Sequence, residues 1–127
     1  MDSFSELTRS GKFTAALINQ FQAQFGELFF KALEYLQVEG KKVFKHKFTP
    51  SDLILWSVEG TDDSYFIFPD VYCQCTAFQI DTIYRKRSFS MCKHLLAQKL
   101  AECHNQFELQ EHSDAEWKEW KKHTIFH

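Results

Sequence analysis

Four residues that can bind a metal ion fall into two pairs, each with one residue between its members. Cys73 and Cys75 form the first pair, and Cys92 and His94 form the second. Thiolate sulfur and imidazole nitrogen are the ligands of structural zinc, which they enclose in a closed tetrahedron. The spacing therefore predicts one structural Zn²⁺ held by all four side chains. The alternative is that the four residues are buried core side chains with no metal.

The spacing within each pair also constrains the local backbone. In an extended segment, residues two apart point to the same side, so Cys73 and Cys75 can share an ion. On a regular helix such residues lie about 200° apart, so Cys92 must precede the first helical turn and His94 must lie within it. The sequence predicts a strand, an excursion over residues 76–91 and a helix whose start is fixed by the metal.

Hydrophobic patterning predicts an α+β fold with a single domain over residues 1–127. Apolar residues recur every three or four positions over 13–38 and predict an amphipathic N-terminal helix. Short runs of β-forming residues, separated by turn residues, predict a three-stranded antiparallel meander over 42–69. The zinc finger and its helix take 70–107, and a C-terminal helix takes 113–123. The N-terminal dozen residues are expected to be a loose lead-in.

Composition limits the classes of function. The formal charge is −2, which argues against a protein that coats DNA by bulk electrostatics. No segment approaches the roughly 20 apolar residues of a membrane-spanning helix, so no membrane association is expected. The polar, acidic start is unlike a secretory signal, which predicts a reducing compartment and cysteines that are not paired in disulfides.

The chain contains 14 phenylalanines, which must either fill a core or be covered by another protein. The predicted helix over 13–38 is apolar around more than a third of its circumference. That width predicts a partner interface on this helix, comprising Phe29, Phe30, Leu33, Tyr35 and Leu36. The alternative is that all of these side chains belong to the intramolecular core.

The residues around the ligands carry a family resemblance. CQCTAF at 73–78 and MCKHLLA at 91–97 match the ligand spacing of SWIM-type zinc fingers, and they resemble the small SWIM-finger subunit of Shu-type homologous-recombination complexes. Thr76 stands where that family commonly has proline, which affects the turn after the second ligand. The closest similarity spans residues 65–102.

The resemblance implies a non-catalytic, nuclear subunit that has a RecA-type recombinase paralogue as its obligate partner. Such subunits promote homologous-recombination repair by assisting the assembly or stability of recombinase filaments on single-stranded DNA. Two other functions stay open: a stand-alone nucleic-acid-binding zinc finger, and an adaptor in the ubiquitin pathway.

The sequence predicts neither an enzyme nor a small-molecule substrate. Four protein ligands leave zinc no open position for a catalytic water, and the glycines are isolated at positions 11, 26, 40 and 60 rather than grouped in a phosphate-binding loop. Arg85, Lys86 and Arg87 are flanked by aromatic residues and are predicted to contact single-stranded DNA. The alternative for these cations is a solvated loop.

Overall fold

The N-terminal part of the chain is helical in the computed structural model. The structure describes residues 2–38, 40–61, 64–69, 72–75 and 92–120. Three helices precede the sheet: α1 (Ser3–Ser10), α2 (Ala15–Phe25) and α3 (Glu27–Gln37). The prediction of one continuous helix over 13–38 is therefore wrong, because Gly26 divides it. The predicted loose lead-in is also wrong, because it contains α1.

Helix α1 is held by a cap and by one buried side chain. The Ser5 backbone N–H donates to Asp2 Oδ1 at 2.7 Å, which satisfies one of the free donors at the helix start. Leu7 is fully buried in the main core, and Gly11 ends the helix in the left-handed conformation. One buried apolar residue in eight gives too weak a periodicity for the sequence alone to reveal this helix.

The break between α2 and α3 is a backbone feature of Gly26. Its φ of 63° and ψ of −139° lie outside the helical region and in a region that residues with a Cβ rarely adopt. The Gly26 N–H still donates to the Gln22 carbonyl at 2.7 Å and so closes α2. The apolar stripe continues across the glycine, which explains why the sequence pattern suggested one helix.

The sheet has five strands in the described part of the chain. They are β1 (Lys42–Thr49), β2 (Leu53–Glu59), β3 (Ser64–Phe68), β4 (Tyr72–Cys73) and β5 (Glu108–Ser113). Their order is β4-β3-β2-β1-β5. Strands β1 to β3 are consecutive and antiparallel, which confirms the predicted meander and the α+β class. β5 was not predicted, and it pairs with β1 in parallel.

Two further helices follow the predicted plan. Helix α4 (Lys93–His104) follows the second ligand pair, and α5 (Asp114–Trp120) lies within the predicted C-terminal helix at 113–123. Residues 121–127 lie outside the described residues. No helix among the described residues is long and apolar enough to cross a bilayer.

The two faces of the sheet pack against different apolar clusters. Val43, Trp56, Val58 and Ile67 share the main core with the helices. On the opposite face, Phe48, Leu55 and Phe66 form a second, smaller apolar cluster. Trp117 of α5 packs against that cluster, with its ring 5.5 Å from the Phe48 ring. Cys73, Cys75 and Cys92 belong to the main core and not to this second cluster.

Candidate metal centre

The four sequence-predicted ligands come together in the structure. One ligand atom from each of Cys73, Cys75, Cys92 and His94 lies within 4.8 Å of all the others, and all four residues are buried. Three sulfur atoms and one imidazole nitrogen are the donor set of a structural zinc site. The site thus joins two segments that are separated by residues 76–91.

The first ligand pair is positioned by the end of the sheet. Cys73 lies on β4 opposite Ile67 of β3. The next residue continues this attachment, because the Gln74 N–H donates to the Phe66 carbonyl at 3.1 Å and the Phe66 N–H donates to Gln74 Oε1 at 3.2 Å. Gln74 is therefore anchored while Cys73 and Cys75 on either side both reach the ligand cluster.

The second pair is positioned by the start of α4. Cys92 is the N-cap residue, with an extended backbone (φ −87°, ψ 169°), and its sulfur accepts the Leu95 N–H at 3.5 Å. His94 lies in the first turn. The prediction that Cys92 precedes the helix and His94 lies within it is confirmed. The positive end of the helix dipole favours a thiolate at Cys92.

The two nitrogens of His94 have different surroundings. Nδ1 lies 3.9 Å from Cys92 Sγ, whereas Nε2 lies 3.1 Å from the Tyr35 hydroxyl oxygen. Nδ1 thus faces the ligand cluster, and a metal bound at Nδ1 would leave the proton on Nε2, which would donate to the Tyr35 hydroxyl. The Tyr65 ring also packs against the imidazole, with the two ring centroids 4.7 Å apart. An outer partner of this kind fixes the tautomer and orientation of a metal-binding histidine.

The thiols are poorly suited to ionise without a cation. Hydrogen bonding to Cys75 and Cys92, together with burial, strongly raises the pKa of Cys73. For Cys92, the hydrogen bond with Cys73 lowers the pKa, but that with Cys75 and burial outweigh it and raise the pKa to about 11. Neighbouring buried thiolates repel one another, so the thiol form is favoured when no cation is bound. A bound divalent cation favours the thiolate form instead.

The dimensions suit zinc after a small contraction. Tetrahedral zinc, with Zn–S of about 2.3 Å and Zn–N of about 2.0 Å, places neighbouring ligand atoms about 3.5–3.8 Å apart. The observed separation of 3.9 Å between Cys92 Sγ and His94 Nδ1 is close to this value. The residues present therefore fit a Cys₃His site for one metal ion.

The residues of the predicted partner interface divide by burial. Phe29 is fully buried, and Tyr35 and Leu36 are less than a tenth exposed, so these three belong to the intramolecular core. Leu33 is half-buried against that core, whereas Phe30 is 43% exposed. Of the predicted interface residues, Phe30 and part of Leu33 are accessible, whereas Tyr35 is buried and contacts the candidate ligand His94.

The predicted DNA contacts, the fourth cysteine and a tryptophan of α5 lie outside the ligand cluster or outside the described residues. Arg85, Lys86 and Arg87, the predicted DNA contacts, lie outside the described residues. Cys103 is partly buried against the main core and is not a member of the ligand cluster. Trp117 packs on the second face of the sheet.

Sequence reasoning missed a hydrogen-bonded cluster on the second face of the sheet. Buried His46 contacts Ser57 Oγ through Nε2 at 2.8 Å and His112 Nε2 through Nδ1 at 3.1 Å. His112 Nδ1 in turn contacts Glu116 at 2.9 Å. The cluster joins β2, β1, β5 and α5. Its one sequence signal is a histidine at an inward-facing position of β1.

Comparison with protein-family models, curated proteins and solved structures gives no match for this chain.

Proposed function

We propose that this protein is a non-catalytic zinc-finger adaptor that acts with a RecA-type recombinase paralogue in homologous-recombination repair. In this role it assists the assembly or stability of recombinase filaments on single-stranded DNA in the nucleus. One structural Zn²⁺, held by Cys73, Cys75, Cys92 and His94, clasps the end of the sheet to the start of α4.

The observation that carries the proposal is the gathering of four buried Cys and His ligands at a strand-to-helix junction. Four protein ligands around one ion favour a structural role over a catalytic one. The recombination context rests on the similarity of residues 73–78 and 91–97 to SWIM-finger subunits of Shu-type complexes. Structural zinc contributes on the order of 10 kcal/mol in small fingers, so metal binding and folding are expected to be coupled.

An adaptor must present a surface to its partner, and α3 offers an accessible aromatic residue. Phe30 is 43% exposed, and Val38, just beyond the end of α3, is 45% exposed. Their neighbours Phe29 and Leu36 are buried, so this part of α3 is fixed against the core. A rigid helix with an exposed aromatic ring is a typical anchor in protein–protein interfaces.

Co-purification of the tagged full-length chain from cells of its own source, with identification of bound proteins, tests the proposal. The zinc-site variant is Cys73→Ser, and the matched control is Cys103→Ser, which alters a thiol outside the ligand cluster. We expect a RecA-type paralogue with wild type and with Cys103→Ser, and its loss with Cys73→Ser, because the finger unfolds locally without zinc.

Other outcomes identify the competing functions. Recovery of ubiquitin-ligase components in place of a recombinase paralogue would support the ubiquitin-pathway adaptor. Tight binding of single-stranded DNA by the isolated zinc-loaded chain, weakened by the double variant Arg85→Ala/Arg87→Ala and found without recovery of a recombinase paralogue, would support the stand-alone finger. In either case the recombination adaptor would be rejected.

A further inference from the structure

A cavity of about 260 Å³ lies on the second face of the sheet, separate from the metal centre. Its inner surface includes the buried residues Phe44, Phe66, Ser57 and His46. Its rim includes Glu59, which is exposed. We name this cavity the Phe44–Phe66 hollow. It therefore combines aromatic walls, a polar floor and a carboxylate at the entrance.

The hollow follows from the register of three strands. Ser57 of β2 is paired with Phe44 of β1 on one side and with Phe66 of β3 on the other. A small side chain thus lies between two large aromatic ones. The backbones that carry the two phenylalanines are two strand spacings apart, about 9.6 Å, and a flat group between two rings needs about 7 Å. The spacing across Phe44, Ser57 and Phe66 therefore accommodates one planar group.

Charge selects the class of ligand. Glu59 is the one charged side chain among the described residues that line the hollow, and its carboxylate is exposed at the entrance. Lys42, its partner in register across the ladder, is hydrogen-bonded to Glu108 at 2.8 Å, and the Glu59 carboxylate adds a smaller electrostatic attraction that also raises the pKa of Lys42. A carboxylate at the entrance attracts a cation and repels phosphate, which argues against a nucleotide.

The floor of the hollow adds no opposing charge. His46 is neutral near pH 7, because burial and then the neighbouring His112 lower its pKa to about 4. Its ring nitrogens contact Ser57 and His112, so the imidazole is fixed in place. The Phe44 ring is stacked with this imidazole, with a centroid separation of 5.9 Å. The aromatic wall is therefore held in a defined position.

We propose that the Phe44–Phe66 hollow binds an arginine side chain of a partner protein, with the guanidinium between the two phenyl rings and paired with Glu59. Guanidinium is flat, always charged and weakly hydrated, so it stacks on aromatic rings and forms two parallel hydrogen bonds with a carboxylate. A lysine ammonium offers neither the flat face nor the fork of donors. The proposal rests on the adaptor function and specifies one group that the partner supplies.

The test uses Nα-acetyl-L-arginine amide as a probe of the zinc-loaded full-length chain, followed by NMR chemical shifts. We expect saturable shifts at Phe44, Ser57 and Phe66 with a millimolar Kd, complete by about 50 mM probe. The citrulline amide, an uncharged analogue, and the lysine amide should each bind at least fivefold more weakly. The variant Glu59→Gln should weaken arginine binding at least tenfold.

The control variant is Glu111→Gln, which alters an exposed glutamate of β5 outside the hollow and should leave the affinity unchanged. Absence of shifts at 50 mM probe would overturn the proposal, as would equal binding of citrulline amide. Tighter binding in Arg85→Ala/Arg87→Ala would also overturn it, because the chain's own arginines would then be the occupant. If co-purification succeeds and the probe fails, the hollow is rejected and the adaptor function stands. If the probe binds and no recombinase paralogue is recovered, the adaptor function is rejected.

Discussion

The buried His46 makes the stability of the fold depend on pH in a predictable direction. Burial and the neighbouring His112 lower the pKa of His46 from its ordinary value of 6.5 to about 4. In the unfolded chain the imidazole takes up a proton below about pH 6.5, whereas in the folded chain it stays neutral until about pH 4. The stabilisation is complete above pH 6.5 and is lost as the pH falls through this window.

The size of the effect follows from linkage. The pKa difference corresponds to about 3 kcal/mol of unfolding free energy between the two limits, and to roughly 1 kcal/mol between pH 7.5 and 5.5. We expect zinc-loaded wild type to lose roughly 1 kcal/mol more than His46→Gln over that interval, because glutamine does not titrate.

Urea unfolding of both proteins at pH 7.5, 6.5 and 5.5 measures the difference. Acid also weakens zinc binding, but it does so equally in both proteins, so comparison of the two slopes isolates His46. Ser57 and His112 remain in both, as does Glu116 behind His112. Parallel pH dependences in wild type and His46→Gln would show that His46 titrates normally, and the inferred environment would be wrong.

Three further predictions concern the helices and the metal centre. Gly26→Ala should reduce the unfolding free energy by about 1–3 kcal/mol, because φ there is positive; a gain of about 1 kcal/mol in thermal or urea unfolding would instead indicate a continuous helix. Tyr35→Phe removes the hydroxyl that contacts His94 Nε2 and should weaken zinc binding 10- to 100-fold, as measured by competition with a chromogenic chelator. An unchanged zinc affinity would show that the Tyr35 hydroxyl does not support His94 as a ligand. Phe30→Asp should abolish partner co-purification while changing the unfolding free energy by less than about 0.5 kcal/mol, because Phe30 is exposed. Phe29→Ala, in the core, should instead reduce the unfolding free energy by about 3–5 kcal/mol. Retained partner binding by Phe30→Asp would exclude α3 as the interface.

The sequence was most informative where local geometry restricts chemistry. Two ligands at i and i+2 can share an ion on a strand, but on a helix they require a cap, and this reasoning placed Cys92 before α4 and His94 within it. The meander was equally accessible, since turn residues separate three β-rich runs. In both cases the determining signal lies within a few neighbouring residues.

Pairings between distant segments could not be predicted from local sequence patterns. Strand β5 is mostly exposed and has no regular apolar alternation, so its pairing with β1 depends on contacts more than 60 residues apart in the chain. The contacts of His46 with His112 and Ser57 depend on that pairing. Three residues of the predicted interface, Phe29, Tyr35 and Leu36, are buried in the chain's own core, because the other helices and the sheet cover most of the apolar stripe that the sequence placed on one surface helix.

The core phenylalanines are likewise covered by residues from other helices of the same chain. Phe21 and Phe29 stack with ring centroids 5.2 Å apart, and Phe4 and Phe13 pack around them from α1 and the segment before α2. A chain expected to need a partner to cover its aromatic residues covers many of them itself. Among the described phenylalanines, Phe30 and Phe68 are the ones more than a third exposed.

Zinc K-edge X-ray absorption of the purified chain tests the central claim most directly. The account predicts one zinc per chain, with a first shell of three sulfur atoms at about 2.3 Å and one nitrogen at about 2.0 Å. That shell should be retained in Cys103→Ser. A folded protein without zinc, or a shell containing water oxygen or fewer than three sulfur atoms, would contradict a closed structural site at Cys73, Cys75, Cys92 and His94.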